Sequence, residues 1–153
     1  MYKMLIAAMA VLVIGCLPKN FVAPAPLAFH APSQATQATR IAAVALANAG
    51  FNVAQSGSVE TALTANRTAT HNGNDSYIKC RYPNGSDAAA NRATTLFITF
   101  KALPDTSGSA VTINGRVVTS YPGYQGRAMA IAPNDTDCVS NGVIEQQLAT
   151  ALR

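Results

Sequence analysis

The sequence feature that most constrains the fold is a pair of alternating segments separated by a turn. From Thr94 to Leu103, apolar and polar residues alternate with a period of two, the pattern of a strand with one buried face. The residues expected on that buried face are Leu96, Ile98, Phe100 and Ala102. Pro104 to Gly108 is typical of a hairpin loop, after which Ser109 to Ser120 forms the returning strand. The inward residues of the returning strand are predicted to be Val111, Ile113 and Val117.

This pattern predicts a long antiparallel hairpin at the centre of the fold. The pair Asn114-Gly115 is expected to form a bulge or to divide the returning strand into two. After the loop that follows it, Ala128 to Ile131 is a candidate edge strand.

Two helices are predicted, one near each end of this strand-rich region. The first, from Thr36 to Ala49, has Thr36 or Thr39 as its cap and Gly50 at its end. The residues expected on its buried face are Ile41, Val44 and Ala45. The second runs from about Thr136 to Leu152 and is capped by Asp135 or Asp137. Its apolar face contains Ile144, Leu148 and Leu152.

Shorter strands are expected between the first helix and the central hairpin. Phe51 to Gln55 alternates as a strand, whereas Ser58 to Asn66 fits a short helix or a strand. The runs Arg67 to His71 and Ser76 to Tyr82 flank Asn72-Gly73, a strong signal for a second hairpin. Two helices on one face of such an antiparallel sheet make a two-layer α+β sandwich, which we predict as a single domain over residues 36–153.

The first residues of the chain have the layout of a secretory signal. Lys3 precedes an apolar run from Met4 to Ile14. From Met4 to Leu17 there are 14 uncharged residues. As a helix they would cover about 21 Å, less than the roughly 30 Å hydrocarbon core of a bilayer. A signal peptide is therefore favoured over a membrane-spanning helix.

The segment Val13-Ile14-Gly15-Cys16 resembles the lipobox of bacterial lipoproteins, in which a small residue precedes the cysteine and an aliphatic residue stands three before it. The resemblance implies that residues 1–15 are removed and that Cys16 receives a diacylglyceryl group. It also implies the outer membrane as the destination, because Leu17 is not the aspartate that retains such proteins in the inner membrane of enteric bacteria. Residues 16–35, rich in proline and alanine, are predicted to form an extended or disordered linker.

An ordinary signal peptide cleaved elsewhere is the alternative, and it would make the protein a soluble secreted binding or inhibitor module. Four Asn-x-Ser/Thr triplets begin at Asn66, Asn74, Asn84 and Asn134. In a eukaryotic protein they would indicate glycosylation and weaken the lipobox interpretation.

Cysteine usage predicts one disulfide. If Cys16 is lipidated, Cys80 and Cys138 are the two thiols left in an oxidising compartment, and we expect them to pair. The bond would tie the second predicted hairpin to the start of the last helix. Closing a loop of this length contributes about 4 kcal/mol on the chain-entropy account. A redox pair or a metal site is the alternative, although the two cysteines lack CxxC spacing.

The sequence has no recognisable catalytic pattern. His30 lies in the predicted linker and His71 precedes a predicted turn, neither with a neighbouring motif. The glutamates, Glu60 and Glu145, are not spaced as an acid/base pair. We therefore predict that the protein is not an enzyme and has no catalytic residue, cofactor or metal. Without Lys3 there are ten basic and seven acidic residues, dispersed along the chain, which excludes nucleic acid as the expected partner.

Two groups of residues are candidates for a partner-binding surface. Lys79 and Arg81 are expected on the solvent face of a strand, and the second group lies in or beside one loop: Arg116, Tyr121, Tyr124 and Arg127. Tyrosine and arginine are enriched at interfaces, and basic groups suit anionic glycans or lipid headgroups. Ordinary polar surface is the alternative. The expected function is that of an accessory or binding subunit of a cell-envelope assembly, held to the membrane by acyl chains on Cys16 and contacting a protein partner.

Overall fold

The computed structural model describes residues 23–55, 61–69, 75–80, 93–122, 128–130 and 138–153. Within them, a long antiparallel hairpin forms the centre of the main sheet. Strand β5 (Ala93–Asp105) and strand β6 (Gly108–Pro122) pair from the Ala93–Ser120 position to the Asp105–Gly108 position, and the turn is Thr106-Ser107. The predicted central hairpin is confirmed. Its second strand passes through Asn114-Gly115 without a bulge, because Thr99 pairs with Asn114 and Ile98 with Gly115.

Four further strands complete the main sheet. On one side of the hairpin, β3 (Ala62–Ala69) pairs with β5, and β2 (Asn52–Gln55) forms the edge beyond it. On the other side, β1 (Leu27–Ala31) and β7 (Ala128–Ala130) pair with different parts of β6. The order is β1-β6-β5-β3-β2 and all these pairings are antiparallel. The strand predicted after Phe51 and the edge strand predicted after Arg127 are confirmed, and the ambiguous stretch is a strand from Ala62 onward.

One face of the main sheet is covered by both helices. The four inward residues predicted on β5 are fully buried. On β6, Val111 and Ile113 are at most 1% exposed. Helix α1 (Ala35–Asn48) and helix α2 (Val143–Leu152) add Leu46, Ile144, Leu148 and Leu152 to the same apolar cluster. The predicted two-layer α+β sandwich is therefore observed. Among the described residues, neither helix is long and apolar enough to cross a membrane.

Helix α1 differs from its prediction in its start and in its buried face. Its N-cap is Gln34 with no side-chain cap, and the Thr39 hydroxyl instead donates to the Ala35 carbonyl at 2.8 Å. Val44, predicted inward, is 56% exposed. The buried face is a stripe of mostly small residues: Ala35, Ala38, Thr39, Ala42 and Leu46. Ile41 and Ala45, also predicted inward, are partly buried and pack against the edge of the core. The small side chains of the stripe let the helix lie close to the sheet. The helix ends as predicted, at Gly50 with φ +80°.

Helix α2 begins later than predicted. Strand β8 (Cys138–Ser140) occupies the expected first turn, and the helix starts at Val143 after the N-cap residue Gly142. The Asn141 side chain accepts a hydrogen bond from the Val143 amide at 3.0 Å. The capping role predicted for Asp135 and Asp137 is therefore wrong, because the helix begins several residues beyond them. The two aspartates themselves lie outside the described residues.

The prediction of a second hairpin is also wrong. Strand β4 (Ile78–Cys80) pairs with β8 in a separate two-stranded ribbon, not with β3. The physical reason is that both edges of β3 are already occupied, one by β2 and the other by β5. The predicted turn at Asn72-Gly73 lies outside the described residues.

The predicted linker is shorter than expected. Its residues Leu27–Ala31 form β1, whose backbone pairs with β6 between Ser109 and Ile113. Ala31 is fully buried, and Leu27 and Phe29 pack against the core. The apolar residues of this segment alternate, so it can pair with the free edge of β6 and bury one side, despite the prolines around it. The folded domain therefore starts at β1, before residue 36.

Candidate functional site

The side of the main sheet opposite the helices is exposed, and no described segment covers it. We call this surface the outer face. Its large and polar members, taken from three adjacent strands, are Thr64, Asn66, Thr68, Thr95, Phe97, Thr99, Lys101, Leu103, Thr112, Asn114, Arg116 and Val118. They alternate with the buried residues of the same strands. The outer face is thus rich in hydroxyl and amide groups and carries the cations Lys101 and Arg116, with the exposed carboxylate of Asp105 at the end of β5.

Large apolar side chains on the outer face stand beside these cations. Phe97 is 41% exposed and lies directly opposite Arg116 in the β5–β6 register. Val118, 40% exposed, is two residues further along β6. Leu103, 48% exposed, follows Lys101 on the same side of β5. Within the described part of the chain, neither Arg116 nor Lys101 forms an ion pair, since the two bridges found there involve other residues.

The structure places two of the predicted surface residues on opposite sides of the main sheet. Arg116 belongs to the outer face. Lys79 is exposed on β4, in the ribbon that contacts the inner side of the sheet where Ser140 approaches Gly115. Tyr121 lies in β6, where its backbone pairs with Met129. Arg81, Tyr124, Arg127 and Cys16 lie outside the described residues.

The predicted disulfide between Cys80 and Cys138 is present. The two residues stand directly opposite each other in the β4–β8 ribbon and are 8% and 1% exposed. The bond therefore joins two paired strands, not a hairpin and a helix as expected. It is part of the core cluster, which suits a structural crosslink better than an exchangeable one.

A buried carboxylate that the sequence did not single out lies between the ribbon, helix α2 and the sheet. Glu145 is 6% exposed, and its Oε1 accepts a hydrogen bond from the Ser140 hydroxyl at 2.6 Å. Its Oε2 is buried and has no hydrogen-bond partner among the residues that the structure describes. The carboxylate lies directly over Gly115, where an added Cβ would clash with Oε1.

Arg67 forms a second network inside the fold. It lies on β3 and donates from Nη1 to the Ala49 carbonyl at the end of α1 and from Nε to Asp75 Oδ2, the latter at 3.1 Å. Its guanidinium carbon is 5.2 Å from the centre of the Tyr77 ring. The Asp75 side chain is only 7% exposed. This network connects the main sheet, helix α1 and the segment that leads into β4.

A serine, a histidine and an aspartate meet at one corner of the sheet. His30 Nε2 lies 3.2 Å from Ser107 Oγ and 3.7 Å from Asp105 Oδ2. A Ser-His-Asp catalytic relay needs the two ring nitrogens to serve different partners, whereas here both contacts involve Nε2. The His30 and Asp105 side chains are also 44% and 45% exposed. The corner is better described as a surface contact that ties β1 to the hairpin turn.

Two concavities that are lined by described residues flank these elements. One, of about 460 Å³, lies beside the β5–β6 turn and the start of α1 and is lined in part by Pro32, Thr36 and Asp105. The other, of about 680 Å³, is a shallow groove along the solvent side of α2, lined by Val143, Gln146, Gln147, Thr150 and Ala151 among others. The first concavity is also lined by Ser107, whose hydroxyl contacts His30 as described above.

Within the described ranges, no three histidine, cysteine, aspartate or glutamate residues are grouped so that they could hold a metal ion. Comparison of the chain with protein-family models, with curated proteins and with solved structures finds no match.

Proposed function

We propose that this chain is a lipid-anchored envelope protein that acts, without catalysis, as an accessory or binding subunit of a cell-envelope assembly. The assembly would be of the secretion, conjugation or lipopolysaccharide-transport type. The observation that carries the proposal is the sequence Val13-Ile14-Gly15-Cys16 at the end of an apolar signal segment. The anchor would be the acylated Cys16, in the periplasmic leaflet of the outer membrane.

The position of β1 supports a short tether. Ten residues, 17–26, separate Cys16 from Leu27, and fully extended they reach at most about 35 Å. A domain on such a tether stays near its membrane. That position suits a subunit that works beside other membrane-bound components.

The disulfide supports export. Structural disulfides persist in oxidising compartments such as the periplasm, and the Cys80–Cys138 bond is buried in the core. The exposed cations Lys79 and Arg116 supply candidate contacts for a protein partner or an anionic glycan or lipid on two different sides of the domain.

Mass spectrometry of the mature protein tests the anchor directly. We expect an N-terminal Cys16 that carries acyl chains. We also expect Cys16→Ala to move the protein from the membrane to the soluble fraction in a high-salt wash, which screens charge contacts but does not release an acylated protein. An untargeted pulldown from solubilised envelopes, with the Cys16→Ala protein as the control, would then identify the partner. An unmodified thiol or a cleavage point further downstream would contradict the proposal and favour the soluble secreted binding or inhibitor module.

A further inference from the structure

We propose that the outer face of the sheet rests on the surface of the anchoring membrane and binds anionic phospholipid headgroups there. This inference deepens the proposed function and depends on it for the tether. It assigns a role to the side of the domain that lies opposite the helices, and it leaves the helical side directed away from the bilayer.

The arrangement of side chains on the outer face suits a lipid–water interface. Two clusters each combine a cation with an exposed apolar side chain: Arg116 with Phe97 and Val118, and Lys101 with Leu103. Lys101 is four positions further along β5 than Phe97, which corresponds to about 13 Å. Apolar groups enter the boundary between headgroups and acyl chains, while lysine and arginine bind lipid phosphates.

The charge of the outer face favours an anionic surface. Arg116 and Lys101 make no ion pair with any described residue, so their charges are available to a ligand. Asp105, at the end of β5, is the carboxylate on the described part of this face, and its Oδ1 accepts a hydrogen bond from the Thr106 amide at 2.7 Å. The described outer face therefore has two cations and one carboxylate. The threonine and asparagine side chains between the two cations add hydrogen-bond donors without charge.

The length of chain before the sheet makes this contact geometrically possible. The tether of residues 17–26 enters at β1, an edge strand of the same sheet. Strand β5 lies two strand spacings from β1, with β6 between them, so about 10 Å separates the two strands. A tether of at most about 35 Å therefore keeps the outer face within reach of the bilayer surface.

Tryptophan fluorescence provides a site-specific test because the chain has no tryptophan. The protein to use is the mature chain from residue 16 with Cys16→Ser, so that acylation does not contribute to binding. Phe97→Trp and Leu103→Trp place a fluorophore on the outer face, and Val44→Trp places one on α1 as the matched control. With phosphatidylglycerol-containing vesicles, we expect emission to shift to shorter wavelength for the first two variants only. With phosphatidylcholine vesicles, we expect no shift.

Cosedimentation with the same vesicles measures the contribution of charge. Arg116→Gln and Lys101→Gln are each expected to weaken binding about fivefold. Arg40→Gln, an exposed cation on α1, is the matched control and is expected to leave binding unchanged. Thermal unfolding of every variant verifies that the fold is retained, so that a loss of binding is not a loss of structure.

Several outcomes would overturn the inference. These are equal shifts at residues 97 and 44, binding that is insensitive to both glutamine substitutions, absence of vesicle binding, and binding to an acidic polysaccharide but not to vesicles. Dimerisation of the free protein that is abolished by Phe97→Ser would assign the face to a second copy instead. The two proposals can fail separately. An unacylated Cys16 contradicts the anchor, regardless of the result with vesicles. An acylated protein whose outer face does not bind vesicles contradicts only this inference.

Discussion

Arg67 shows how one side chain connects three parts of the fold. Residues of β3 alternate, and Arg67 falls on the inward set with Leu63, Ala65 and Ala69. Its side chain is 32% exposed, so it loses part of its contact with water and gains protein partners instead. The Arg67 guanidinium donates hydrogen bonds to the Ala49 carbonyl and the Asp75 carboxylate, and it lies over the Tyr77 ring. Its position at the C-terminus of α1 is also favourable for the helix dipole.

We expect Arg67→Gln to lower the free energy of unfolding by about 2 kcal/mol, because it leaves the buried Asp75 carboxylate without its cation. Urea denaturation measures this change. Arg40→Gln, which removes an exposed cation from α1, is the control and is expected to change stability by less than about 0.5 kcal/mol. Adding Asp75→Asn to Arg67→Gln is expected to restore part of the loss. An additive second loss would argue against the ion pair as the cause.

Gly115 is required by a close approach and not by a turn. The Glu145 carboxylate and the Ser140 side chain occupy the space where a Cβ would stand. We expect Gly115→Ala to lower the free energy of unfolding by about 1–2 kcal/mol, since Glu145 must move and give up its hydrogen bond to Ser140. In a Glu145→Ala background the same substitution is expected to cost less than half as much. Equal losses in both backgrounds, measured by urea denaturation, would show that another contact is responsible.

At the scale of elements, β1 is the segment whose role differs most from its expected one. We expect a chain that starts at residue 32 to be at least about 3 kcal/mol less stable than one that starts at residue 23, since it loses the packing of Leu27, Phe29 and Ala31. Circular dichroism during thermal unfolding compares the two. Equal stability of the two chains would indicate that residues 27–31 belong to the linker and not to the folded domain.

The β4–β8 ribbon depends on its crosslink, because each strand has only three residues. We expect Cys80→Ala with Cys138→Ala to lower the free energy of unfolding by about 4 kcal/mol, the value for a disulfide that spans 58 residues. Urea unfolding with and without a reductant measures it. Reductant is expected to destabilise the natural chain and to have no effect on the double variant. A natural chain insensitive to reductant would contradict a stabilising role.

For the whole molecule, the decisive quantity is the distance over which the tether holds the domain. Inserting ten Gly/Ser residues after residue 22 doubles the length of the tether. If the outer face contacts the membrane, this insertion is expected to lower the effective concentration of the outer face at the bilayer about threefold. Quenching of Phe97→Trp fluorescence by a lipid-attached quencher in the acylated protein measures this. Val44→Trp is the matched control and is expected to be quenched weakly at either length. Equal quenching of the two tryptophans would contradict a preferred orientation.

The amino-acid sequence by itself determined the elements whose pattern is local. The period of two in β5 and β6 assigned their inward residues, Gly50 marked the end of α1, and the count of cysteines predicted the Cys80–Cys138 pair. The same pattern of elements was sufficient for the α+β class. Burial of one face is a property that a strand or helix carries in its own residues.

Only the tertiary structure decided which segments are partners. Periodicity states which face of a strand is buried but not which edge it will meet, and edges are filled by competition among distant segments. For that reason β4 pairs with β8 instead of β3, and residues predicted as linker form β1 on the free edge of β6. The chain beyond residue 137 likewise forms strand β8 before helix α2 begins. The roles of Gly115, Arg67 and His30 likewise depend on contacts with residues 30, 18 and 77 positions away. No local pattern contains such contacts, because they exist only once the sheet has closed.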